Sequence, residues 1–134
     1  MEYMLGVFLA AGVSLLATLS GLDRARSFYP FLMMVIASYY ALFAIMGDSG
    51  RALSLESIFI VAFIVVSIIG FKLNLWVVVG ALFAHGIYDL FHGHLISNPG
   101  VPKWWPGFCL TYDTTAAAYL AWMLRRSKPP TAVP

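Results

Sequence analysis

Charge is scarce in this chain. Only 10% of its 134 residues are charged, eight Lys or Arg against six Asp or Glu, and there is one cysteine. So little charge cannot clothe an ordinary water-soluble domain. A net charge of +2, with no basic run interleaved with stacking aromatics on a polar face, excludes a nucleic-acid partner. The lone Cys109 cannot close an intrachain disulfide, so cysteine usage says nothing about redox compartment. No nucleotide or flavin motif is present, nor any internal or inverted repeat of the transporter kind. No lysine sits mid-span, because Lys72 lies at a helix end. The first apolar segment opens Met1-Glu2-Tyr3 without a basic n-region and is long for a signal, so it is expected as a retained span.

What the chain has instead is apolar length. Hydrophobic residues make up 61% and aromatics 16%, with a mean hydropathy of +0.85. Runs long enough to cross a bilayer core of about 30 Å recur along the chain. The expected fold is an all-α membrane protein, a single bundle of five transmembrane helices over residues 3–19, 28–46, 55–71, 75–96 and 107–124. A basic, proline-rich cytoplasmic tail over 125–134 follows. The third run, Ile60-Val61-Ala62-Phe63-Ile64-Val65-Val66, is β-branched enough to pass for a buried strand in water. An open strand would leave backbone groups unpaired in lipid, so helix is expected. Ser54, Glu56 and Ser57 mark its expected start. Asn98-Pro99-Gly100-Val101 fits a type II turn, with Gly100 taking positive φ. Trp104 and Trp105 fall where an interfacial aromatic belt belongs.

Five crossings put the two ends on opposite sides. Arg24, Arg26, Lys72, Arg125, Arg126 and Lys128 share one side, against Arg51 and Lys103 on the other. The positive-inside rule makes the first side cytoplasmic and the N-terminus extracytoplasmic.

The stretch from Ala84 to His94 carries the chemistry. On a helix His85, Asp89 and His92, at i, i+4 and i+7, share one stripe, with Tyr88 beside them and Leu90 and Phe91 pointing elsewhere. Ionisable groups in a spanning helix are costly and mark a functional site by default. At about 1.5 Å per residue, His85 lies roughly 20 Å and Asp89 roughly 26 Å above the cytoplasmic boundary. Asp113 comes out at roughly 18 Å and Glu56 at about 24 Å. These groups, with His92, are therefore expected to meet in the outer half of the bilayer. The short 95–106 loop makes the fourth and fifth spans antiparallel neighbours, which pairs Asp113 with the His85–Asp89 stripe.

Three readings of that group follow. In the first, His85, Asp89, His92 and Asp113 hold a divalent metal such as Zn, Fe or Mn, and Asp113 or Glu56 serves as the acid–base group. Tyr88, Cys109, Tyr112 and Tyr39 then form a substrate or outer layer, and the protein is a metal-dependent hydrolase or oxidoreductase acting on a lipid or other apolar molecule. In the second it is a proton or cation relay. In the third it is a structural His–Asp network in a scaffold or partner-binding protein. The cytoplasmic halves of spans three and five offer almost nothing polar except Ser67, which weighs against a relay. The small-residue pairs Gly80 with Ala84 and Ala117 with Ala121 allow helix packing within one chain or in a homo-oligomer.

The segments His85-Gly-Ile-Tyr-Asp89-Leu-Phe-His92, Asn98-Pro-Gly-Val-Pro-Lys-Trp-Trp-Pro106, Asp113 and the turn Asp23-Arg-Ala-Arg-Ser-Phe-Tyr-Pro30 resemble a family of small bacterial integral membrane proteins. The resemblance covers most of the chain. It implies a bacterial source, the cytoplasmic (inner) membrane and a compact bundle of spans, and it carries no reaction with it.

Overall fold

A backbone surrounded by hydrocarbon must pair its own N–H and C=O groups, and a helix does so within a single segment. In the computed structural model, which describes residues 1–127, the chain takes that solution throughout. It forms α1 (Glu2–Ser20), α2 (Phe28–Met46), α3 (Gly50–Lys72), α4 (Leu75–Leu95) and α5 (Trp105–Arg126), with a 3-10 turn at Leu22–Arg24. There is no strand among the described residues. Lys128 and the proline-rich end of the expected tail lie outside them. The four helices α1 to α4 are each long and apolar enough to cross a membrane, which makes this a membrane protein by length and composition. α5 is as long, at 22 residues, but more polar.

α1 packs along α5, α5 along α4, α4 along α3 and α3 along α2, with α2 also reaching α4. α1 meets α5 through the small residues Gly6, Ala10, Ser14 and Ala17. The apolar core gathers Met33, Ile36, Val78, Leu82, Ala116 and Leu120 from α2, α4 and α5. Gly80 and Ala84 instead face outward and are exposed.

Three local expectations are corrected. α3 begins at Gly50, where the Ser49 side chain accepts from Ala52 N–H at 3.2 Å. Ser54 and Ser57 sit inside the helix and donate back to Gly50 O and Leu53 O, a bond internal to a helix that mimics a start in sequence. At 98–101 a turn does form, with Val101 N–H donating to Asn98 O at 3.2 Å, but Gly100 has no positive φ. Glycine is needed there for proximity: a Cβ at 100 would stand 1.7 Å from Phe43 O at the end of α2. Trp104 is exposed as a belt residue would be, whereas Trp105 is buried against Phe43 and Tyr39, ring centroids 4.8 and 5.2 Å away.

That contact makes a paired prediction. Gly100→Ala forces the loop off α2 and should cost about 1–3 kcal/mol, as other overpacking does. Gly93→Ala, at a helical position with nothing within 4 Å of the new methyl, should be neutral or stabilising. Thermal unfolding in detergent reads both; equal shifts in Tm would refute the close approach.

Candidate metal centre

The stripe on α4 is buried as its spacing requires. His85, Asp89 and His92 face the interior, while Leu90 and Phe91 are about half exposed on the other side. Gly86 lets α5 come close, because a Cβ there would already stand 3.3 Å from both Asp113 Cβ and Leu110 O. Across that approach His85 Nδ1 lies 2.7 Å from Asp113 Oδ2 and 3.2 Å from Asp89 Oδ2. His85, Asp89 and Asp113 can each offer one donor atom within 4.8 Å of the others. All three are at most 1% exposed.

His92 and Glu56 belong to a second group. His92 Nε2 lies 2.6 Å from Glu56 Oε1, which also accepts from Asn98 Nδ2–H at 3.0 Å. Tyr88 O–H donates to Glu56 Oε2 at 3.3 Å. The depth estimates bring Glu56, His85, Asp89 and Asp113 to similar levels with His92 expected to join them, and the structure divides the five into a triad of His85, Asp89 and Asp113 and a pair of His92 and Glu56. His92 is therefore not among the three clustered donors, and Glu56 faces His92 and not Asp113.

Tyr40 joins the two groups. Its hydroxyl donates to Asp89 Oδ1, its ring stacks on His92 at 4.0 Å between centroids, and its carbonyl accepts from Asn98 Nδ2–H at 3.1 Å. The outer layer expected from sequence includes Tyr39. Tyr39 is 39% exposed, on the flank of α2 toward Trp105, and Tyr40 is the buried neighbour. Tyr40 and Asn98 were both missed. Tyr40 sits a heptad from Met33 on the buried face with Ile36, Ala37 and Ala44, a face that a helix apolar all round does not announce in sequence. In sequence Asn98 signals only a turn. Cys109 and Tyr112 are buried on α5 beside Asp113, Cys109 in the same cluster as Tyr40 and Phe43.

The two groups differ in how well they are satisfied. Both Glu56 oxygens have partners, and Glu56 with a protonated His92 is neutral. The triad has two carboxylates for one imidazole, and His85 Nε2, Asp89 Oδ2 and Asp113 Oδ1 are buried without a hydrogen-bond partner. A buried surplus of negative charge calls for a proton or a cation. A divalent ion with a neutral imidazole would bring the triad to zero net charge. One nitrogen and two carboxylate donors also suit Zn, Fe or Mn.

If Glu56 and His92 form a buried pair, removing one partner strands the other. Glu56→Gln and His92→Gln should each destabilise by about 3–5 kcal/mol. The double variant should fall short of their sum by about 0.5–3 kcal/mol. A double-mutant cycle by denaturant unfolding in micelles measures this, and strict additivity would show that the two side chains do not interact. Compared with family models, with curated proteins and with solved structures, the chain matches none.

Proposed function

We propose that the chain is a metal-dependent enzyme of the bacterial cytoplasmic membrane, with one divalent ion held by His85, Asp89 and Asp113 and an apolar or lipid-linked substrate. The single observation carrying this reading is the buried triad with its surplus carboxylate and three unpartnered donor atoms. Three protein ligands leave a coordination position open, as in catalytic sites, where structural zinc sites use four. A bound ion supplies Lewis acidity toward a carbonyl or phosphoryl oxygen. The chain's own part is to orient Asp89 through the Tyr40 hydroxyl and to keep water out. Tyr40 is in turn held by the His92 stack and the Asn98 bond, so Glu56 and His92 act as positioning residues in this reading.

A second reading, a structural polar network, is favoured by one observation, the near-complete burial of the triad. Under the enzyme reading, side chains packed over the triad must move to admit substrate. A relay has less support. The buried Met33, Val78, Leu82 and Ala116 occupy the next two helical turns from the triad, before the hydroxyls of Ser67 and Tyr29 are reached.

The bundle in this proposal has five crossings, N-terminus outside. Support for α5 as the fifth comes from its 22 residues, about 33 Å at 1.5 Å per residue, lying along α4 and α1. Three of its polar residues are internally accommodated: Asp113 belongs to the triad, and the Thr111 and Thr114 hydroxyls donate to Gly107 O and Leu110 O.

Two measurements test these proposals. Metal analysis of the purified protein should find about one ion per chain, lost in His85→Ala and Asp113→Asn and retained in His92→Gln. Absence of stoichiometric metal in the wild type would transfer the triad to the structural reading. In a Cys109→Ser background, an impermeant thiol reagent should label Asp48→Cys on intact cells and leave Arg24→Cys untouched. The reverse pattern would invert the orientation.

A further inference from the structure

α1 and α2 follow one another in sequence but do not pack along each other, since α1 lies on α5 and α2 on α3 and α4. Between them runs a groove of about 400 Å³, walled by Leu5 and Leu9 of α1 and Leu32 and Val35 of α2, with Trp105 and Phe108 of α5 as its floor. That volume falls within the roughly 300–1,000 Å³ of small-molecule sites. Both walls are helices apolar enough to cross a membrane, so the cleft opens sideways onto acyl chains and not onto water.

At one end of the groove stands a polar group without a partner. Trp105 is the first residue of α5, and its indole Nε1–H is buried with no hydrogen-bond partner. From Trp105 the floor continues through Phe108 and Cys109 to Tyr112, about 10 Å deeper along the helix. An unpartnered donor at the head, followed by mostly aliphatic and aromatic walls with the Tyr39 and Tyr112 rings among them, complements a molecule with one acceptor and a long apolar tail.

We propose that this groove binds one acyl chain of a membrane glycerolipid, with Trp105 Nε1–H donating to the ester carbonyl oxygen at the head of that chain. The fate of the bound chain rests on the metal reading. Cys109 of the groove floor shares a buried cluster with Tyr40, whose hydroxyl donates to Asp89, so one layer of side chains separates the lipid from the triad. Binding itself does not depend on that reading.

The test reconstitutes the full chain in phosphatidylcholine vesicles containing a phosphatidylcholine with a photoreactive diazirine midway along one acyl chain. Adducts are mapped by mass spectrometry, and metal content is measured on the same samples. Adducts should concentrate on Leu9, Val35 and Phe108 over Val61 and Val65, which are exposed on α3. Val35→Trp, at a partly exposed position outside the triad, should reduce labelling of Phe108 to the level seen on α3 while leaving metal content unchanged. Trp105→Phe keeps the ring and removes the donor, and should weaken groove labelling about threefold to tenfold. Uniform labelling of all lipid-facing positions overturns the proposal, as does labelling indifferent to both variants. Crosslinks between two copies at the groove overturn it in favour of a dimer. Groove labelling without stoichiometric metal supports the lipid site and rejects the metal reading.

Discussion

The contact between His85 and Asp113 fixes how this bundle is assembled. Apolar side chains gain little from one another in lipid, because hydrocarbon satisfies them as well as a neighbouring helix does. An imidazole and a carboxylate at membrane depth are different, since each is costly alone and each is the other's remedy. Sliding α5 by one turn, about 5.4 Å, would separate them, so the pair sets the register of the α4–α5 interface. Gly86 is what allows the backbones to come near enough for the pair to close.

From that contact the polar groups recruit the other elements in turn. Asp89 takes the Tyr40 hydroxyl and so brings in α2. Tyr40 stacks on His92, which takes Glu56 from α3, and Asn98 closes the chain from the α4–α5 loop onto both Glu56 and the Tyr40 carbonyl. α1 has no share in this group. It is attached through small residues against α5 and by a Thr18–Tyr119 hydroxyl contact of 2.7 Å. Because α1 lies along α5 and not along α2, a cleft is left on its open side, and that is where the groove lies.

Depth was legible in the sequence and direction was only half legible. Counting residues from the basic boundaries placed Glu56, His85, Asp89 and Asp113 at one level, because helical rise is constant. The i, i+4, i+7 stripe gave the face of α4 correctly. On α2 the ionisable markers run out, and without them Tyr39 and Tyr40 differ by only 100° of rotation on a helix apolar all round. Which of the two turns inward depends on where α3 and α4 sit, and that is a tertiary fact. The same holds for Gly100, whose need for glycine comes from Phe43, more than fifty residues earlier. The hydroxyls of Ser54 and Ser57 misled for a different reason, since a serine that donates back four residues is indistinguishable in sequence from one that caps.

The two polar groups of the bundle serve as controls for each other. They share a depth, a low dielectric and the same bridging tyrosine. Glu56 and His92 show what a satisfied buried network looks like, with one acid facing one imidazole and both carboxylate oxygens engaged. His85, Asp89 and Asp113 depart from that pattern in composition and in satisfaction, with one acid too many and three donor atoms unpaired. A half-satisfied buried network is worse for stability than an apolar core would be. Stability therefore gives no reason to hold both aspartates against one imidazole, whereas a proton or a cation would use the surplus charge.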